Sequence, residues 1–321
     1  MDNEHLDLLA KIAHLYYEQH QTQKVIAQQF GYSRSMISRL LSEAEQQGVV
    51  EIRIHYPISR CVDLEVELRE KLGLKVVRVL ARGTLPYEQM LRRLGQLAAS
   101  LVEDLVTEGM VIGVSWGTAL LELTNALSAK SFMGANVVQI IGALDTADPQ
   151  IDGPDLARNL ARIFGGQYFT LSAPLLVENE AIRDALLNDQ RLRRVLNMID
   201  SMQMTLVGIG TIDPRQSSLV RAGYVTTAEL RELAQIGVVG DVCAIQFDCH
   251  GNILDTPLNK RRIGISPEQK LRIPIKLGIA GGETKALSIV GACRAGLVNH
   301  LVTDEIAAQK ALRILEGDDC P

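Results

Sequence analysis

No run of roughly 18 apolar residues occurs anywhere in this 321-residue chain, so no segment reads as a membrane-spanning helix. Cysteine is sparse: Cys61, Cys243, Cys249, Cys293 and Cys320 are odd in number, scattered, and contain no Cys-x-x-Cys pair. That spacing argues against a disulfide framework or a structural zinc site, and it reads as reduced thiols. Positive charge is not in excess either. A net charge of -5 argues against a protein that coats nucleic acid indiscriminately, though it leaves room for a small DNA-reading face. Internal repeats and low-complexity tracts are absent. The opening MDNEHLDLLAK has acids where a secretory leader needs a positive flank and an apolar core, so a soluble cytoplasmic protein is expected.

What is present is apolar mass: 47% of residues are hydrophobic, ample for a sizeable core, and the length suggests about two domains. Near the N-terminus, Leu6, Leu9, Ala10, Ala13, Tyr16 and Tyr17 recur at helical spacing. Thr22 is placed to cap a helix through Phe30, Gly31 to break it, and Ser33 to cap a second helix running to about Gln47 before Gly48. In that second helix Ile37, Leu40, Leu41 and Ala44 face inward, while Arg34, Ser35, Ser38, Arg39 and Ser42 share the opposite face. This is the spacing of a helix-turn-helix, with small Ala27 where the helices cross. Residues 1–56 hold five cations against seven acids, so the domain is not basic as a whole. From Gln19 to Ser42, however, there are three cations and no acid.

Short side chains let such a helix enter a major groove, and arginines donate to guanine or phosphate. The residues expected to meet DNA are Thr22, Gln23, Ser33, Arg34, Ser35, Ser38 and Arg39. A helical oligomerisation module with a polar face is the alternative for this stretch. VVEIRIHY, 49 to 56, alternates like a strand and Pro57 ends it, which bounds a first domain at 1–56. Cys61, Leu64, Leu68 and Leu72 then suit a linker helix within 57–73.

From residue 74 to 321 strands and helices alternate, which argues for a parallel sheet covered on both faces by helices. Strands are expected at 75–80, 110–115, 136–141, 167–172, 204–209, 242–247, 275–280 and 299–303. The clearest helix, 87–106, carries Tyr87, Met90, Leu91, Leu94, Leu97, Ala98, Leu101, Val102 and Leu105 on one face; 142–155, rich in Gly, Pro and Asp, reads as a loop. Three glycine-containing segments follow expected strands: GVSWGTALLEL (113–123), VGIGTIDP (207–214) and GIAGGETKALSIV (278–290). Each alone also suits a structural turn. Together, with Lys285 opening a helix at the same end of the sheet, they point to an anionic small ligand. Trp116 is a pocket wall or core packing. Asp241, at the head of GDVCAIQFDCHGNILDT, is either an acceptor for sugar hydroxyls or a turn-forming residue. That stretch reads as a strand, a turn at His250-Gly251-Asn252 and a return strand.

With these residues in view the chain resembles the SorC family of bacterial sugar-responsive transcriptional regulators, also called deoxyribonucleoside-regulator-like. The resemblance spans YYEQHQTQKVIAQQFGYSRSMISRLLSEAEQQGVVEIRI, GVSWGTAL, VGIG, GDVCAIQFD, GIAGGETKALSIVGAC and NHLVTDEIAAQKAL. It implies an α/β fold: an N-terminal helix-turn-helix domain joined to a Rossmann-like effector domain akin to sugar-phosphate isomerases and deaminases, used as a sensor. It implies a phosphorylated sugar or polyol effector that alters operator binding, and a homodimer or homotetramer. Carried over by motif, Trp116, Gly117, Thr118 and Ala119 would face the effector, with Gly210 and Gly282 in the later loops. Asp241 would hold its hydroxyls and Lys285 its phosphate. Ala119 stands where some relatives place a second hydroxyl, and Arg221 is an extra cation without a motif match. A DNA-binding repressor-type regulator of a carbohydrate operon is thus expected, with operator DNA as partner and no cofactor, metal or catalysis. The competing reading is a sugar-phosphate isomerase or deaminase with an added helical domain. That chemistry needs a positioned acid and base, and the six dispersed histidines form no carboxylate-histidine set beside the glycine loops.

Overall fold

A computed structural model describes residues 3–50, 58–128, 134–144 and 148–317. The chain divides into two compact units, 1–57 and 58–321.

In the first unit α1 (Asn3–Ala13) runs on into a π-helical turn, His14–Glu18, and is followed by α2 (Gln23–Phe30) and α3 (Arg34–Gln46). Thr22 and Ser33 cap α2 and α3, their hydroxyls accepting the backbone N–H of Val25 and Met36. Between the helices Gly31 takes a φ of +69°, a left-handed conformation that a side chain would strain. Leu9, Ile12, Ala13, Ile26, Ala27, Ile37, Leu40, Leu41 and Ala44 form one core. In α1 the inward stripe is Leu9, Ile12 and Ala13, at spacings of three and four; Ala10, expected inward, is exposed because it lies a quarter-turn from that stripe. Val49 and Val50 pack against this core. The rest of the strand expected at 49–56, residues 51–56, lies outside the described residues.

The second unit is built on a seven-stranded parallel sheet. Its strands are β1 (Val76–Leu80), β2 (Val111–Val114), β3 (Asn136–Gln139), β4 (Tyr168–Phe169), β5 (Met204–Gly208), β8 (Ile275–Ile279) and β9 (His300–Asp304). Their spatial order is β1-β9-β8-β5-β2-β3-β4. A separate antiparallel hairpin pairs β6 (Gly240–Val242) with β7 (Ile245–Phe247). Strand residues alternate between two cores, as a sheet buried on both faces requires. Ile112, Val114, Met204 and Leu206 meet α5 (Tyr87–Leu105), α6 (Thr118–Ala126) and α7 (Gly153–Phe164). Val207 and Leu301 turn to the opposite core with helices Ala286–Arg294 and Glu305–Gly317.

Further details depart from the sequence reading. The linker helix α4 starts only at Val62 (Val62–Leu72), because Arg60 is extended and bridges Leu80; Leu68, fully buried, fixes α4 to the core of the second unit. Edge strand β4 keeps two of six expected residues, and Tyr168 is 47% exposed. The strand expected at 242–247 is the β6–β7 hairpin, outside the main sheet, since Cys243 and Ala244 both adopt a φ of +55° and reverse the chain. Phe247 bridges Ile253, so part of the expected return segment survives. Residues 145–147 of the expected loop 142–155 lie outside the described residues; beyond them Asp152 caps α7. Cys61, Cys243 and Cys293 are free thiols, whereas Cys249 is disulfide-bonded, against the expectation of reduced thiols throughout. Among the described residues no helix is long and apolar enough to cross a membrane.

Candidate effector pocket and nucleic-acid interface

The chain leaves β2 toward β3 and β4 on one side, and leaves β5 toward β8 and β9 on the other. The carboxyl ends of β2 and β5 therefore flank a topological switch point, the place where open parallel sheets hold ligands. A cavity of about 620 Å³ lies there, bounded by the loops after the adjacent strands β2, β5 and β8. Trp116, Gly117, Thr118, Ala119, Gly210, Asp241 and Lys285 all line it.

Each loop has a local reason for its shape. Gly117 caps α6 with a φ of +125° and donates its N–H to the Ile151 carbonyl at 2.9 Å, leaving the first-turn N–H groups of Thr118 and Ala119 without intrahelical acceptors. Trp116 is 8% exposed, and its indole N–H has no partner. At Gly210 an added Cβ would stand 1.9 Å from Asp241 Oδ1, so only glycine lets the carboxylate approach this closely. Asp241 Oδ2 accepts the Ala244 N–H at 3.0 Å, which ties the carboxylate to the left-handed turn of the hairpin. Arg262, behind that turn, reaches the Cys243 carbonyl at 3.5 Å. Lys285 Nζ donates to the Ile209 carbonyl at 2.7 Å, spanning the loops after β8 and β5.

Burial pushes the Asp241 carboxyl above its usual range, against the opposing pull of Lys285, the Ala244 N–H and Arg262. Burial brings Lys285 down to about 8, with Asp241 resisting and Arg221 adding to the shift. A Lys at about 8 loses its proton as pH rises through 8, and an anion bound beside it favours the protonated form. Affinity for a phosphorylated ligand is therefore expected to hold below pH 8 and to fall above it, by up to about tenfold per pH unit. Titrations between pH 6.5 and 9.5 check this, and Lys285→Met should flatten the profile.

Gly282 is the one expected effector residue that does not line the cavity. Its φ of +96° turns it behind Gly281, and its N–H goes to Asp304 Oδ1 at 2.6 Å. Arg221 does line the cavity. The sequence reading gave no effector role to Tyr87, Glu88 and Arg92 of α5, Glu122 of α6, or Cys243, all of which line the cavity. Burial raises Glu122 against the opposing Arg92. The register of α5 against α6 carries the signal: a Cβ at Gly95 would stand 2.5 Å from the Glu122 carbonyl carbon, so the two helices touch backbone to backbone. Among the described residues no group of three or more His, Cys, Asp or Glu stands together as a metal site.

In the first unit Arg34, Ser35, Ser38, Arg39 and Ser42 are exposed together on α3. The Ser33 and Ser35 hydroxyls lie 2.9 Å apart. Thr22, exposed, and Gln23, half-buried, open α2 beside exposed Lys24. Glu43, the acid nearest this face, is engaged by His5 at 2.7 Å. Met36, 40% exposed, is an apolar side chain beside this face that the sequence reading did not name.

Comparison with known proteins follows the same two-part layout. A sugar-binding domain family matches residues 56–313. The chain is similar to the sorbitol operon regulator of Klebsiella pneumoniae, with 32% identity over 314 residues, covering 97% of this chain and 99% of the relative. To the deoxyribonucleoside regulator of Bacillus subtilis it is 30% identical over 310 residues, covering 96% and 98%. Among solved structures, full-length SorC from Klebsiella pneumoniae superposes with a TM-score of 0.75 at 32% identity, covering 97% and 99% of the two chains. A sugar-binding domain of a transcriptional repressor from Vibrio fischeri gives 0.73 at 28% identity, covering 80% of this chain and all of that one.

Proposed function

This chain belongs to the SorC family of sugar-binding transcriptional regulators, and from that premise we propose how it works as the regulator of a sugar operon. The first unit reads operator DNA with α3, through Arg34, Ser35, Ser38 and Arg39, while Thr22, Gln23 and the Ser33 cap meet phosphates. One such module buries too little surface for selective binding, so the protein acts as a homodimer or homotetramer. The switch-point cavity takes a phosphorylated sugar or polyol. Thr118 and the α6 N-terminus, with Lys285 and Arg221, supply the anion-binding groups, Asp241 accepts hydroxyls, and Trp116 forms a wall. The protein works in the cytoplasm and carries out no catalysis.

One observation carries this reading: three glycine loops from adjacent strands converge with Lys285 and Asp241 on one cavity. Trp116, the only tryptophan, lies in it and supplies the test. Phosphorylated sugars and polyols are titrated beside their unphosphorylated parents, following Trp fluorescence and assaying each for conversion. The expected result is a saturable change with a phosphorylated member, no turnover, and loss of the response in Lys285→Ala with DNA binding intact. An equal response to the unphosphorylated parent overturns the phosphate assignment, and turnover revives the isomerase or deaminase reading.

A further inference from the structure

One set of buried charges has no task in the cavity. Asp304, the last residue of β9, is fully buried and does not line it. A buried carboxylate persists when its oxygens are paired and hydrogen-bonded, and both oxygens of Asp304 are engaged. Oδ1 accepts the Gly282 N–H at 2.6 Å, and Oδ2 lies 3.1 Å from Arg82 Nη1. On the cavity side, the Gly282 carbonyl accepts the Lys285 N–H at 3.0 Å, so the turn that presents Lys285 hangs from the residue Asp304 holds.

Arg82 leads in the other direction. Its Nε donates to the Leu85 carbonyl at 3.2 Å and its backbone N–H to Glu305 at 3.2 Å, which fixes the loop after β1. The preceding residue, Ala81, donates its N–H to the Ser59 carbonyl at 2.9 Å, and Cys61 donates to the Val79 carbonyl at 2.9 Å. Glu65 closes the clasp, with Oε1 accepting both the Val79 N–H at 2.9 Å and Arg60 Nε at 2.8 Å. Ser59–Cys61 follow Ile58, the first residue of the second unit. Polar contacts from the Lys285 turn through Asp304 to Arg82, and the chain from Arg82 to Ala81, thus join that turn to the segment through which the chain passes out of the first unit.

We propose that Asp304 and Arg82 are positioning residues that hold the Gly282–Lys285 turn in register with Ser59–Cys61, so that a change at the cavity alters the hold on that segment. What occupies the cavity rests on the function proposed above; the link itself is a property of the fold. An allosteric link is a coupling free energy, and a double-mutant cycle measures it.

The test is hydrogen–deuterium exchange on the full-length protein, read at the Cys61 and Ala81 amides, in wild type, Lys285→Ala, Arg82→Gln and the double variant. Lys285→Ala is expected to speed exchange at both amides by about tenfold in the wild-type background. In the Arg82→Gln background it should add no further acceleration, while the Val138 amide on β3 changes in neither. A purely structural role for Arg82 predicts independent, multiplicative effects. Equal acceleration by Lys285→Ala in both backgrounds, or none in wild type, overturns the proposal. If Arg82→Gln fails to fold, Asp304→Asn, which keeps the shape and removes the charge, takes its place in the cycle. No ligand or DNA enters this readout, so its failure is distinct from failure of the regulator reading, which the Trp116 titration decides.

Discussion

A Gly210→Ala protein is expected to bind its effector about tenfold to a hundredfold more weakly and to lose about 1–3 kcal/mol of stability in the second unit. The added Cβ would stand 1.9 Å from Asp241 Oδ1 and 2.7 Å from its Cγ, so one of the two residues must move. The carboxylate has no free retreat. Its other oxygen holds the Ala244 N–H in a turn where Cys243 and Ala244 both have a φ of +55°, and withdrawal removes the contact that stabilises those two unfavourable conformations. Gly208→Ala is the control for stability: the nearest atom to its new Cβ is the Trp116 carbonyl oxygen at 3.6 Å, an ordinary contact. Calorimetric titration with the phosphorylated ligand that moves Trp116 fluorescence, together with thermal unfolding, checks both variants. Wild-type affinity in Gly210→Ala would remove Asp241 from the effector site.

The second large effect lies in the first unit. Arg39→Ala should lower operator affinity by about tenfold to a hundredfold per protomer if Arg39 reads a guanine, with the effector response of Trp116 unchanged. Arg39 is exposed on α3 one turn beyond Ser35, and the core beneath it is Ile37, Leu40 and Leu41, so truncation removes the cation and leaves the packing intact. Electrophoretic or fluorescence binding assays over a salt series separate two roles. A phosphate contact flattens the slope of log affinity against log salt by about one unit per protomer, whereas a base contact relaxes sequence preference at one position. Unchanged operator affinity in the folded variant would move the reading surface off this part of α3.

The residues that anticipated the structure did so through local chemistry. Thr22, Gly31 and Ser33 carry their cap and turn roles in their own side chains or lack of them, and the apolar stripes of α3 and α5 repeat at helical period. The three glycine loops were visible because each places a glycine within a few residues after an expected strand. What escaped was long-range or conformationally atypical. Nothing about a Cys-Ala pair announces two left-handed residues, so the β6–β7 turn looked like mid-strand. Tyr87 and Arg92 reach the cavity only through the packing of α5 on α6 at Gly95. Asp304 sits in a run that reads as strand passing into helix, and its partner Gly282 is separated from it by an entire helix and strand.

The cavity is assembled from loops as far apart as Thr118 and Lys285, and the last of them is braced by Asp304 near the end of the chain, whereas α1 to α3 are complete by residue 50. Synthesis at about 5–20 residues per second puts roughly 10–50 s between these two events on the ribosome. For that interval a nascent chain carries its completed helical unit without the cavity proposed to govern it, and a message cut short before codon 304 would leave it so permanently.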